Sequence, residues 1–316
     1  MSSTSTKTIA KDVSSRADSG PLWDDTPCEG VFYRSISRDK SRPLTHALSI
    51  DVEDWQQSVF DRSLPVSERF VGGMHRVLEL LDEFGVRATF FVLGLAARKA
   101  PGLVRDLHDA GHEVQTHGWD HTELTTLDPR RFREDLLRAK GLVEDLIGSE
   151  VYAYRAPKFS ILASNLWALD VLGECGVRYD SSIFPMRIRT YGIDGWPPYE
   201  HYLRTAAGAA LIEVPVATLK LLGRRMPMGG GGYFRVLPLG LIRLGIRQLE
   251  RRGIPAVLYF HPHEFDPNAF AELDLAIPWR TRLHQGWGRA RFAEKVRDLL
   301  DEFPFGPIRD LLPAEA

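Results

Sequence analysis

The stretch "ALSIDVEDW", residues 47–55, sets a short apolar run of strand type against three carboxylates in four positions. Ala47, Leu48, Ser49 and Ile50 read as a buried strand; Asp51, Glu53 and Asp54 follow at its end. Like charges at that density repel one another, so a cation is expected beside them. If the chain stays extended, Asp51 and Glu53 project to one side and Asp54 to the other; a turn at Val52 would let Asp54 take the place of Glu53. Asp54 is alternatively an acid near the start of a helix.

Downstream, strand and helix patterns alternate. "MHRVLELLDEF" (74–84) carries apolar residues at helical spacing with Gly85 as its stop, and "RATFFVL" (87–93) reads as a strand. A helix opens at Pro101, "HEVQTH" (112–117) follows as a strand, and Asp128-Pro129 caps a long helix ending at Gly148. Further strands are "VYAYR", "VRYD", "LIEVP" and "AVLYFH", with helices near 164–174, 238–251 and 289–302. About seven strand-then-helix units imply parallel strands with crossover helices, as an open sheet or a (β/α) barrel. No G-x-G-x-x-G follows the first strand, which leaves a barrel-like α/β fold as the first choice. Residues 1–43, rich in Ser, Thr, Lys and Asp, read as a mobile tail; residues 44–316 read as one domain with a C-terminal extension from about 265.

The chain has 316 residues, 44% hydrophobic and 26% charged, with a net charge of −2. That balance argues against a general nucleic-acid or membrane-surface binder, and no stretch approaches the length of a membrane span. Two cysteines build no disulfide framework, and the N-terminus lacks a signal-peptide core, so a cytoplasmic protein is expected.

Asp51, His117, Arg155, Asp180 and His261 all fall at or just past the ends of predicted strands, which share one rim in a barrel. His117 and His121 have the spacing of one helical turn, so both imidazoles can reach a single ion; His108 and His112 have it too, but straddle a helix end and read as surface structure. Two imidazoles and one carboxylate leave open positions on a divalent ion, the layout of a hydrolytic site, although the same set suits iron. Arg155 can clamp a carboxylate, or make an ordinary salt bridge. His261, stopped by Pro262, suits a general acid, with His263 and Glu264 close enough to orient it. "GGGG" (229–232) lacks the ending of a phosphate loop and reads as a mobile loop or lid. "PWRTRLHQGWGR" (278–289) mixes Arg with Trp279 and Trp287, which suits sugars or a packed loop.

"SIDVED", "THGWDH", "YRAPKF", "YDSSIFP" and "LYFHPHE" together resemble the polysaccharide deacetylases (NodB-like, carbohydrate esterase family four), in motif order. The arrangement with "GGGYFR" is similar to the subgroup found with exosortase/PEP-CTERM exopolysaccharide loci. The resemblance implies a distorted (β/α)7 barrel that removes N-acetyl groups from an aminosugar glycan with a divalent metal, usually zinc. It implies Asp51 as base, Arg155 as its orienting group, His261 as acid supported by Asp180, and His117, His121 and Glu53 or Asp54 as metal ligands. Phe159, Phe184 and Tyr233 would face the substrate. "DVED" departs from the usual adjacent aspartates, Phe184 stands for the usual Trp, and His263 occupies a position often held by Trp. Related enzymes of the fold open cyclic imides or ureides, and a decayed glycan-binding protein is a third alternative.

Overall fold

The computed structural model describes residues 23–38, 43–268 and 277–313. Its strands are β1 (Asp24–Asp25), β2 (Val31–Ser35), β3 (His46–Val52), β4 (Thr89–Val92), β5 (Glu113–Thr116), β6 (Ala153–Tyr154), β7 (Tyr179–Asp180), β8 (His201–Thr205), β9 (Ala210–Glu213), β10 (Thr218–Leu221), β11 (Arg224–Pro227), β12 (Val257–Phe260) and β13 (Phe305–Gly306). Between them run α1 (Arg69–Glu83), α2 (Gly94–Lys99), α3 (Pro101–Asp109), α4 (Pro129–Ile147), α5 (Trp167–Glu174), α6 (Gly231–Val236), α7 (Leu239–Glu250), α8 (Trp279–Gly286) and α9 (Phe292–Glu302).

Strands β12, β3, β4, β5, β6, β7 and β9 lie side by side and parallel, in that order. The sheet is mixed because β8 and β2 add antiparallel beyond β9. β9 and β12 do not pair with each other; single backbone bonds tie β12 to the segments that follow β9 and β11. The Ala217 N–H donates to Val257 O at 2.9 Å, and the Tyr259 N–H to Gly229 O at 2.7 Å. An α/β fold with barrel-like curvature results.

Every residue of β3 is buried, and its pleat divides them between two cores. Leu48, Ile50 and Val52 pack outward under the helices with Met74, Val77, Phe90 and Leu258. Ala47 points inward with Phe91, Ala153, Tyr179, Ile212 and Val257. Ser49 and Asp51 share that inward face. The long helix α4 begins and ends as its sequence demands: Asp128 Oδ1 accepts from the Arg131 N–H at 2.9 Å, Pro129 takes the first helical position, and Gly148 closes it at φ 63°.

Three expectations are corrected. The segment Val31–Ser35, within the expected tail, is a sheet strand: "VFYRS" pairs along the whole of β8, and Arg34 stacks 5.2 Å over Trp23 and 4.7 Å over Tyr202. Its β-branched and aromatic residues, outweighed by polar neighbours, carried that signal. Residues 1–22 and 39–42 lie outside the described residues. The expected C-terminal extension is part of the barrel: β13 pairs with β3, and Ile308 and Leu311 pack among its inward-facing residues. "GGGG" is no free loop, because a Cβ on Gly230 would lie 2.0 Å from Tyr259 O and one on Gly229 2.4 Å from Val216. Those glycines let the backbone press against β12 where the barrel closes.

Candidate active site

β3, β5, β6 and β12 deliver the polar groups to one rim. The ligand atoms of Glu53, His117 and His121 all lie within 4.8 Å of one another, and all three residues are buried. Glu53 Oε2 stands 2.8 Å from His121 Nε2 and 3.8 Å from His117 Nε2. The His117 Nδ1–H donates to the Arg155 carbonyl at 2.7 Å, leaving the Nε2 lone pair aimed at Glu53. Apart from the His121 nitrogen, no donor reaches Glu53 Oε2. A carboxylate, two imidazoles and an otherwise orphaned buried oxygen fit a divalent cation. Burial alone would push Glu53 up, but His121, then His261 and His117, hold it down to about 2; burial pushes His117 down to about 4, its neutral, ligating form.

The His117–His121 spacing works through a loop, not the helical turn expected. Gly118 and His121 adopt left-handed backbone, at φ 82° and 67°, folding the second imidazole back toward the first. The pair His108 and His112 forms no such site, yet His112 is core rather than surface: it is buried, and its Nδ1 accepts from the Ala88 N–H at 3.2 Å.

Asp54 lies on the other face. Its Oδ2 accepts from the Ser67 N–H at 2.8 Å and its Oδ1 from the Ser67 hydroxyl at 3.0 Å, which anchors the approach to α1. Both oxygens are engaged by Ser67, and the acid that groups with the two imidazoles is Glu53 rather than Asp54.

Arg155 is wholly buried over the Phe91 ring, 4.3 Å from its centre. Its Nη1 donates to Asp51 Oδ1 and Ser49 Oγ, each at 2.8 Å, while Nε and Nη2 donate to the Ser181 carbonyl and hydroxyl at 3.2 and 2.9 Å. That clamp leaves Asp51 Oδ2 facing His261 Nε2 at 3.9 Å; Glu53 Oε1 lies equally far from the same nitrogen. His261 Nδ1 is 3.3 Å from Glu264 Oε2, which also accepts from the His261 N–H at 3.1 Å. Burial works against a charged imidazole, but the Glu264 hydrogen bond and charge, with Glu53 and Asp51, raise His261 to about 9. Arg235 holds Glu264 in turn, Nε to Oε1 at 3.2 Å.

Asp180, expected to support His261, does not face it. It accepts from the Ser182 hydroxyl and pairs with Glu213, both acids wholly buried. Burial raises Asp180 to about 6 and pushes Glu213 well above its ordinary value, with the neighbouring Asp180 charge adding to the shift. The pair ties β7 to β9, and Glu213 Oε1 accepts from the Ile183 N–H at 3.0 Å. Phe159 and Phe184 are buried in an edge-to-face pair at 5.5 Å with Tyr259 and Val216, forming a wall rather than an open platform. Tyr233 is 39% exposed and hydrogen-bonded to Tyr191. Sequence reading missed Ser49, Ser181, Glu213 and Arg235; only Ser49, two positions from Asp51 on one strand face, carried a readable signal.

A buried carboxylate–imidazole cluster that could hold a divalent cation thus lies at the rim of the parallel strands. Residues 59–179 match the family model for polysaccharide deacetylase; residues 181–313 match a domain of unknown function, DUF3473. Over residues 59–179 the chain is thus similar to the polysaccharide deacetylase family. It is 37% identical over 81 residues to the peptidoglycan-N-acetylglucosamine deacetylase of Listeria monocytogenes, covering 26% of this chain and 17% of that protein. To the peptidoglycan deacetylase-like protein of Gibberella zeae it is 30% identical over 128 residues, 40% of this chain and 37% of the relative. The chain thus spans well under half the length of these relatives. A crystal structure assigned as a polysaccharide deacetylase from Mycobacterium smegmatis matches 88% of this chain and 93% of that one, with TM-score 0.57 and 22% identity. PuuE allantoinase shares the fold at TM-score 0.54 and 14% identity, over 86% of this chain and 94% of that one.

Proposed function

We propose that this protein is a metal-dependent hydrolase that removes N-acetyl groups from an aminosugar-containing glycan. The observation that carries the reading is the joint placement of Glu53, His117 and His121 beside the Asp51–Arg155 pair and His261. Glu53, His117 and His121 would hold a divalent ion, zinc being usual in the family resembled, which supplies Lewis acidity toward a carbonyl and lowers the pKa of water. Asp51 takes a proton from the attacking water, its carboxylate aimed by Arg155. His261, protonated and oriented by Glu264, gives its proton to the departing amine. The buried Phe159–Phe184–Tyr259 wall shapes one side of the cleft, and Tyr233 stands exposed at its edge.

The names of related proteins point to peptidoglycan and chitin, which share the N-acetylated hexosamine. The motif arrangement favours an exopolysaccharide precursor as the substrate here. The paired Asp51–Arg155 and His261–Glu264 contacts speak against a decayed binding protein, which has no use for a base and an acid. Because an allantoinase shares the fold, the test panel sets N-acetylated oligosaccharides beside cyclic ureides, with zinc, cobalt or nickel supplied. Acetate release from the glycans, lost in Asp51→Asn, supports the reading. Ureide opening without acetate release overturns it.

A further inference from the structure

The segment 278–289 is not absorbed by the catalytic account. In α8, Trp279 and Leu283 stand one turn apart, and the Trp287 N–H donates to Leu283 O at 3.0 Å, so Trp287 continues the same stripe. These three side chains are 69%, 55% and 63% exposed. Val236, 58% exposed, lines a hollow with Trp287 and Arg291; Val59, 39% exposed, lines another with Phe60, Arg280 and His284. Among the described residues, these account for five of nine exposed large hydrophobic side chains, so they form a patch rather than a scatter.

The charge around the stripe has one sign on its own helix. "WRTRLHQG" carries Arg280, Arg282 and His284 and no acid. Among the described residues Arg280, Arg282 and Arg291 make no ion pair; the nearest acids lining the Trp287 hollow, Glu294 and Asp298, belong to α9. The patch borders the catalytic rim. Arg235, which holds Glu264, also donates to the Gln285 carbonyl, and Trp55, two residues after Glu53, stacks 5.7 Å from Phe60.

We propose that the face of α8 with Val236 and Val59 docks on an anionic phospholipid surface, holding the catalytic rim beside it. Tryptophan settles at the headgroup level, Leu and Val enter the acyl boundary, and guanidinium groups meet lipid phosphates. A glycan platform fits less well. Sugars want aromatic faces flanked by side chains that bond their hydroxyls, whereas this stripe alternates tryptophan with exposed aliphatics.

Sedimentation of the full chain with vesicles of phosphatidylcholine, alone or with roughly one third phosphatidylglycerol, tests this without any catalytic readout. Binding should be at least about tenfold tighter to the anionic vesicles, weaken as salt rises, and fall about tenfold or more in the double variant Trp279→Ser/Trp287→Ser. Trp279→Phe/Trp287→Phe should retain most of it, and unfolding midpoints of both variants should match the parent, since the side chains are exposed. Two results would overturn the proposal: no vesicle binding, whether or not the stripe instead supports association of chain with chain or chain with chitooligosaccharide, or equal binding by the serine variant.

Discussion

An extended backbone turns successive side chains to opposite faces, and at "DVED" that turn gives Glu53 and Asp54 different work. Glu53 faces the two imidazoles, while Asp54 accepts two hydrogen bonds from Ser67. Asp54→Ala should therefore cost about 1–2 kcal/mol of stability by stranding the Ser67 donors, with metal binding intact; chemical denaturation of the metal-loaded protein checks it. Asp54→Asn, which keeps an acceptor, should lose less. Glu264 makes a second residue-level case, since it touches His261 and not the reacting atoms. Glu264→Ala should lower kcat about 10- to 100-fold with little change in KM, because an unsteered imidazole is a poorer acid. Steady-state kinetics with an N-acetylated oligosaccharide reads this; an unchanged kcat would remove Glu264 from the account.

At the scale of elements, Asp180 and Glu213 stand opposite each other on β7 and β9, and the pair is expected to share a proton. Both folded-state values lie above their ordinary ones, so the folded protein holds more protons and stability falls as pH rises through the raised values. Glutamine at 213 supplies the donor without the titration. Glu213→Gln should hold its unfolding midpoint as pH rises above about 6, where the parent declines; Glu213→Ala should be destabilised throughout. Parallel pH curves for parent and Glu213→Gln would refute the shared proton. The closure at β12 is equally specific. A Cβ on Gly230 would meet the Tyr259 backbone oxygen, so Gly230→Ala should cost about 3 kcal/mol or prevent folding. A thermal melt indistinguishable from the parent would contradict that packing.

Across the whole molecule, the boundary between the two family regions, at 179 to 181, passes through β7 in mid-sheet. The downstream region supplies β9, β12, Arg235, His261 and Glu264, so it extends the same sheet and candidate site rather than adding a module. Residues 59–179 made alone should lack a cooperative unfolding transition, which calorimetry would detect. Strand ends and helix caps were legible because they depend on local pattern: β3, the α4 caps, and the strand-end positions of Asp51, His117, Arg155 and His261 all follow from period and turn chemistry. What was not legible depends on distant partners. The pairing of β2 with β8, the press of Gly230 on Tyr259 and the turning of Asp180 toward Glu213 instead of His261 are contacts between segments that no local period encodes. His121 shows the limit neatly: the spacing was read correctly, but a left-handed loop delivers the second imidazole.

The central claim, that Glu53, His117 and His121 make one metal centre that excludes Asp54, is most directly tested by zinc stoichiometry on the purified full chain and its variants. The account predicts one ion per chain for the parent and Asp54→Asn, and loss of that ion in both Glu53→Gln and His117→Ala. Retention of stoichiometric zinc by Glu53→Gln together with its loss in Asp54→Asn would contradict it.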